Sequence, residues 1–520
     1  MSRKPNLRKE VSDTECIKES IHIPIMTKHT KKDVKPYSTI KDILRSSLQN
    51  IFKRKNKKSS HNLLHDPNHD PHQNPRIYSR HRRQSSKKQN YNNNYISKLI
   101  DLYYNNDDVA QKYLDTIDDK THIHPQQRRI IVIGDIHGDF DAAITCLILA
   151  KCIEPIVPPE RKTVPAMDAF FNKLKWIGED TYIVQLGDQI DRVRPQDWNS
   201  NDITNDRAYQ DEGSTLEIFY LFYYLDILAR AANGRVMSII GNHEIMNVEG
   251  DFRYVSLQEF KCFKDHLSST YHRNSRFPYH SKTLKNNSHR LKDLDNENKW
   301  SNSSNSSSRK RQYSNLPIGY RERLYAFSPT GLCANMMGTN NYTILQIGKW
   351  LFCHGSPVLR TFKNYSTEMI NNVMSMYLLG LESDDNTVEE YYNDISQSNS
   401  KESILWNRKF GNVEVNDDTT TTMSNNNTSN QDKNNKLTKS LDIILEAYNK
   451  KNNPKIPATH IAVGHTPQFQ GNMGINSICG GRAWRCDVGM SRAFGKCDQE
   501  EEDIRKPQVL EILGEKINIM

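Results

Sequence analysis

Ile130-Ile131-Val132-Ile133-Gly134-Asp135-Ile136-His137-Gly138-Asp139 is the stretch on which the reading of this chain turns. Four consecutive apolar residues have strand length, and unbroken apolarity suits a strand buried on both faces. The run stops at a glycine, and acidic and imidazole side chains follow at once. The same grammar recurs four times. Tyr182–Leu186 leads into Gly187-Asp188-Gln189-Ile190-Asp191-Arg192. Val236–Ile240 leads into Gly241-Asn242-His243-Glu244, Trp350–Cys353 into His354-Gly355-Ser356, and Ile461–Val463 into Gly464-His465-Thr466-Pro467.

Helical stretches lie between these runs. Phe140–Lys151 follows the first. Ser214–Arg230 precedes the third, with Ser214 and Glu217 at capping-box spacing and Asn233-Gly234 at its exit. The Tyr and Phe residues of Phe219–Leu225 read as core packing at helical spacing. Alternating strands and helices predict an α/β class. Buried strands of such a fold present their C-terminal ends at one crevice, where ligands bind. The five ends would bring Asp, His, Asp, Asn, His and His together. Oxygen and imidazole donors without thiolate suit Mn, Fe or Zn. Two such ions about 3.5–4 Å apart can clamp a phosphoryl group and activate water.

Outside these segments the chain is polar. It has 520 residues, 36% of them hydrophobic, and a net charge of +9; its mean hydropathy is -0.78. Residues 1–100 hold 23 Lys and Arg against 8 Asp and Glu, and the other 420 hold 48 against 54. Residues 1–95 therefore read as a basic, mostly disordered tail. Residues 96–127 read as a helical lead-in, and 128–520 as the domain that carries the five motifs. Polar tracts near 282–315, 383–400 and 417–436 read as loop insertions that bury too little apolar surface to order. In the tail, Lys53–Lys58 and Arg80–Lys88 read either as nuclear-localisation or nucleic-acid patches or as solvated charge. His65–His72 reads either as a metal tract or as disordered polar sequence.

No apolar stretch is long and uncharged enough to span a membrane. The first ten residues lack the apolar core of a secretory signal. Nine cysteines without a CxxC pair predict reduced thiols. The expected location is intracellular, cytoplasmic or nuclear.

Taken in order, GDIHG, GDQIDR, GNHE, His-Gly and GHTP resemble the signature of the calcineurin-like metallophosphoesterases, phosphoprotein phosphatase branch. Gly241–Val255, Val463–Gln468 and Trp484–Gly495 resemble the Shewanella-like protein phosphatases in particular. The resemblance implies an αββα sandwich, two central β-sheets flanked by helices. By motif, it implies one metal on Asp135, His137 and a bridging Asp188. A second would sit on Asp188, Asn242, His354 and His465. His243 would protonate the leaving oxygen, and Asp191 would orient its imidazole. Arg192 would grip the phosphate, with Asn242 beside it. The segment Leu405-Trp406-Asn407-Arg408 offers Arg408 as a second phosphate contact.

The implied reaction is phosphomonoester hydrolysis, foremost on phosphoproteins, by in-line attack of metal-bound hydroxide. The same ligand set serves dinucleoside-tetraphosphate hydrolases and phosphodiesterases, and an inactive scaffold binding through the basic tail is the reading from another class. Small phosphoesters are possible substrates, and nucleic acid or an anionic surface is a possible partner of the tail. Two departures from the family pattern are present: Val193 follows Asp191-Arg192 where glycine is usual, and Ser356 replaces the second glycine after His354.

Overall fold

The computed structural model describes residues 94–103, 121–193, 211–273, 317–381, 387–396, 401–413, 427–468, 474–494 and 505–520. Each of the five apolar runs contributes a strand. They are β2 (Arg129–Ile133), β3 (Tyr182–Gln185), β4 (Arg235–Ser238), β6 (Trp350–Cys353) and β7 (His460–Val463). Six further strands complete the described set: β1 (Ile123–His124), β5 (Ile344–Ile347), β8 (Asn476–Ile478), β9 (Ala483–Arg485), β10 (Val509–Leu513) and β11 (Lys516–Ile519).

The strands divide into two mixed sheets, one in the order β11-β10-β2-β3-β4 and the other β1-β5-β6-β7-β9-β8. In the first, β2, β3 and β4 run parallel, and the C-terminal hairpin β10–β11 is antiparallel, with β10 beside β2. In the second, β6, β7 and β9 run parallel. A parallel bridge between Ile239 and Tyr342 ties the end of β4 to the approach to β5. Helices flank both sheets, as the resemblance implies. The helix Thr215–Arg230 packs on β4 and buries Leu216, Phe219, Tyr220, Phe222 and Leu225, so its aromatic stripe is core.

Several expectations are corrected. Ser214 makes no side-chain cap to its helix. Glu217 accepts a hydrogen bond from the Tyr95 hydroxyl instead. The docking of the helix Tyr95–Tyr103 diverts the carboxylate from the cap. Residues 387–396 of the tract read as a loop form the helix Thr387–Ser396. Val388, Tyr392 and Ile395 are buried on it, with Tyr392 stacked on Tyr377. Their spacing of four and three puts one apolar stripe on an otherwise polar segment. Residues from 427 onward belong to the helix Asn427–Asn452, anchored by Leu441, Ile444, Leu445 and Tyr448. The lead-in helix is Tyr95–Tyr103. Lys53–Lys58, Arg80–Lys88, His65–His72 and the tract near 282–315 lie outside the described residues. No helix among the described residues is long and apolar enough to cross a membrane.

Candidate active site

Asp135 and His137 follow β2, Asp188 and Asp191 follow β3, His354 follows β6 and His465 follows β7. Asn242 and His243 open the short helix Asn242–Val248 after β4. The two sheets thus deliver their strand ends to one buried cluster. Asp188 is its centre. His354 Nε2 lies 3.3 Å from Asp188 Oδ2, His243 Nε2 3.8 Å and His137 Nε2 3.9 Å. Donor atoms of His137, Asp188 and His243 all lie within 4.8 Å of one another, as do those of Asp188, His354 and His465. Asp135 Oδ2 stands 3.9 Å from His137 Nε2 and accepts the His465 N–H at 3.0 Å, which links the sheets.

The backbone is bent to make this cluster. His137, Asp188, Asp191 and His465 hold φ of 47°, 50°, 75° and 67°. The left-handed region is costly for residues with a Cβ and concentrates where function fixes it. Close approach does the rest. A Cβ on Gly241 would lie 2.2 Å from Asp188 Oδ1, and one on Gly464 2.3 Å from Asp135 Oδ1. Only glycine admits these carboxylates so near the chain.

The imidazoles are oriented as metal ligands are, with the far nitrogen spent on an oxygen. His354 Nδ1 donates to the Leu186 carbonyl at 2.8 Å, which leaves Nε2 facing Asp188. His137 Nδ1 faces the Ile190 carbonyl at 3.3 Å. His465 Nε2 meets the Trp406 carbonyl at 3.1 Å. Asn242 Oδ1 sits 2.8 Å from His354 Nε2.

Burial, then Asp487 and Asp188, push the Asp135 carboxyl well up. Burial also works against the Asp188 carboxylate, but His354 and His243 outweigh it and hold Asp188 well below the usual range. Burial and the Arg408 charge hold His465 well down, in the neutral form that binds metal. Carboxylates and imidazoles with no thiolate fit divalent cations, which bind the imidazoles in their deprotonated form.

His243 lies within this cluster, but its far nitrogen is held by a carboxylate and not by a carbonyl. Its Nδ1 meets Asp191 Oδ2 at 2.8 Å, and its Nε2 points at the centre. Arg192 is fully buried; Nη1 lies 3.4 Å from Asp139 and Nη2 3.8 Å from Glu212. Arg408 is exposed and donates to the His465 carbonyl at 2.6 Å.

A model of the calcineurin-like phosphoesterase family matches residues 128–485. The chain belongs to that family. It is a hydrolase, and its family implies divalent metal ions. This phosphoesterase is 26% identical over 399 residues to Shewanella-like protein phosphatase 2 of Arabidopsis thaliana, covering 74% of this chain and 77% of that one. It is 30% identical over 154 residues to Shewanella-like protein phosphatase 1 of Plasmodium berghei, covering 29% of this chain and 30% of the relative. Among solved structures, a cold-active protein tyrosine phosphatase matches at a TM-score of 0.42 and 17% identity, over 77% of this chain and 78% of that one.

The phosphoesterase supports its site with residues that sequence reasoning left without a role. Glu244 accepts N–H bonds from Gly241, Asp188 and Gln189 at 2.7–2.9 Å; burial, then Asp188, push it up to about 7. Glu259 receives the N–H groups of Asp191 and Arg192 at 3.3 and 3.2 Å. Asn247 donates to both oxygens of Asp191, and Arg323, fully buried, donates to Asp191 Oδ1 at 3.1 Å. Glu244 was legible as the fourth letter of GNHE. Arg323 and Glu259 carry no local signal.

Ser356 has a use that explains its departure from glycine. Its N–H donates to the Asn407 carbonyl at 2.7 Å, and its hydroxyl accepts the Phe410 N–H at 2.9 Å. It staples the segment bearing Arg408 beside His465.

Proposed function

We propose that this phosphoesterase hydrolyses phosphomonoesters on phosphoproteins, with two divalent ions of the Mn, Fe or Zn class. The observation that carries the reading is Asp188, whose carboxylate belongs to both donor clusters, one with His137 and His243 and the other with His354 and His465. A carboxylate so placed can bridge two ions. Asp135, His137 and Asp188 would hold one, and Asp188, Asn242, His354 and His465 the other. When bound, the metals supply Lewis acidity and lower the pKa of water.

The chain's own residues do the rest. His243 directs Nε2 at the centre while Asp191 holds Nδ1, so the imidazole can deliver a proton to the leaving oxygen. Asn247 and Arg323 keep the Asp191 carboxylate turned toward it. Arg408, exposed at the rim, grips a phosphate oxygen. Arg192 would join it by turning Nη2 from Glu212, the longer of the two ion pairs named above. The phosphoprotein substrate is supported by the names of the Arabidopsis and Plasmodium relatives.

The test is phosphate release by the full chain with Mn²⁺ from a phosphopeptide library, an aryl phosphate and a dinucleoside tetraphosphate in parallel. Release from peptides, abolished by His243→Ala, is expected and reports the preferred phospho-residue. Turnover of the dinucleotide alone would replace this reading with a nucleotide hydrolase.

A further inference from the structure

Away from the strand ends, a second cluster of side chains able to ligate metal lies between helices, with Glu217 buried and His266 half-buried. Cys262 and His266 stand four residues apart on the helix Leu257–Arg273, a spacing that puts both on one face. That face meets the first turn of the helix Thr215–Arg230 at Glu217. Donor atoms of Glu217, Cys262 and His266 all lie within 4.8 Å of one another, and His266 Nε2 is 3.9 Å from Glu217 Oε1.

The cluster is short of positive charge. Glu217 is completely buried. Its Oε1 accepts the Tyr95 hydroxyl, but its Oε2 is buried with no hydrogen-bond partner among the described residues, and so is the hydroxyl of Ser214 one turn earlier. An orphaned buried carboxylate oxygen is costly. Among the described residues no Lys or Arg forms an ion pair with Glu217, which stands 3.9 Å from His266 and feels Lys162 only at longer range. Asp211, Asp265 and Glu259 add negative charge around the Cys262 thiol.

We propose that Glu217, Cys262 and His266 bind a further metal ion, of the zinc class, that is separate from the catalytic pair. One sulfur, one imidazole nitrogen and one carboxylate oxygen form a zinc donor set, and water can take the fourth position. Metal–ligand lengths of about 2.0–2.3 Å require the three donors, now within 4.8 Å of one another, to draw closer around the ion. Coordination through Glu217 Oε2 would give that oxygen a partner, and the Cys262 thiol would bind as thiolate, its proton released to solvent. Its work is structural. It clamps two helices, one of which carries Glu259, the residue that receives the N–H groups of Asp191 and Arg192. Loss of the clamp loosens the loop that carries the partner of His243.

The two kinds of site differ in donor chemistry, and that difference gives the test. The catalytic cluster offers only oxygen and nitrogen. The full chain is stripped of metal and titrated with Co²⁺ while its near-ultraviolet spectrum is recorded. A thiolate-to-cobalt charge-transfer band that saturates at one equivalent per chain is expected. Cys262→Ser abolishes it, and His266→Gln weakens the affinity at least tenfold. Zinc-loaded wild type should hold one more metal per chain than Cys262→Ser. No charge-transfer band on the wild type under excess Co²⁺ overturns the proposal, and so does a band that survives Cys262→Ser unchanged. If Cys262→Ser does not fold, the wild-type spectrum and His266→Gln decide. None of these readouts depends on catalytic turnover, so failure here leaves the phosphatase reading standing.

Discussion

His243 is gripped at one nitrogen by Asp191 and aimed with the other at Asp188, 3.8 Å away. If it is the proton donor, His243→Ala lowers kcat by roughly 10²–10⁴, the usual worth of a general acid, and leaves metal content unchanged. A smaller loss is expected for Asp191→Asn. Behind the pair stands Arg323, fully buried against Asp191, Asn247 and the rings of Phe263 and Phe327. Removing one member of a buried ion pair strands the other, at a cost of about 3–5 kcal/mol. Arg323→Ala should therefore lower the midpoint of thermal unfolding steeply. An unchanged midpoint would show that the pair contributes little. The contrast between these residues shows what sequence can reveal. His243 and Asp188 sit in short motifs just past apolar runs, so their chemistry was legible from neighbours one or two positions away. Arg323 meets Asp191 across 132 residues from a helix whose sequence looks like any charged surface helix. Only the fold joins them.

At the level of elements, strand β1 carries a pH-sensitive residue away from the site. Burial, then the Arg235 charge, lower His124 to about 4, and its Nε2 is buried without a partner. The unfolded chain binds this proton near pH 6.5 and the folded chain does not until about pH 4. Between those values the unfolded state holds more protons, so stability falls as pH drops and is restored as it rises. The loss is of order 2 kcal/mol across that window. His124→Phe should flatten it, as read by denaturant unfolding at pH 7 and pH 4.5 in both proteins. An identical slope in the two would assign the acid sensitivity elsewhere. A second prediction concerns the Ser356 staple. Ser356→Ala leaves the Phe410 N–H without its acceptor, a cost of about 1–3 kcal/mol when buried, and frees the segment of Arg408. KM for a phosphopeptide should rise more than kcat falls. The staple was not legible, because a serine after His-Gly reads only as a departure. The helix Thr387–Ser396 was missed for a related reason: composition weighed its acidic and Asn/Ser neighbours above three apolar residues at helical spacing.

For the whole molecule, continuous apolar runs told that strands are buried but not which sheet each joins. Three of the five lie in one sheet and two in the other. The partition arose from the family resemblance, not from periodicity. The C-terminal hairpin was absent from the strand reading, although it closes the edge of β2. Arg129 and Glu511 pin it at 2.6 Å. Truncation before residue 505 would turn Ile130–Ile133 into an unpaired apolar edge, which is an aggregation template. Loss of monomeric protein in size-exclusion chromatography is expected, and a well-behaved truncated monomer would speak against that role.

The central claim is that one carboxylate, Asp188, organises a metal-dependent phosphatase centre between the two sheets. It is tested most directly by Asp188→Asn in the full chain, measured for bound metal and for phosphate release from the best phosphopeptide on the same sample. Loss of catalytic metal together with a fall in turnover of at least ~10², about 2.7 kcal/mol of barrier, with the fold retained by circular dichroism, is the predicted result. A folded Asp188→Asn protein that keeps wild-type turnover would contradict the account.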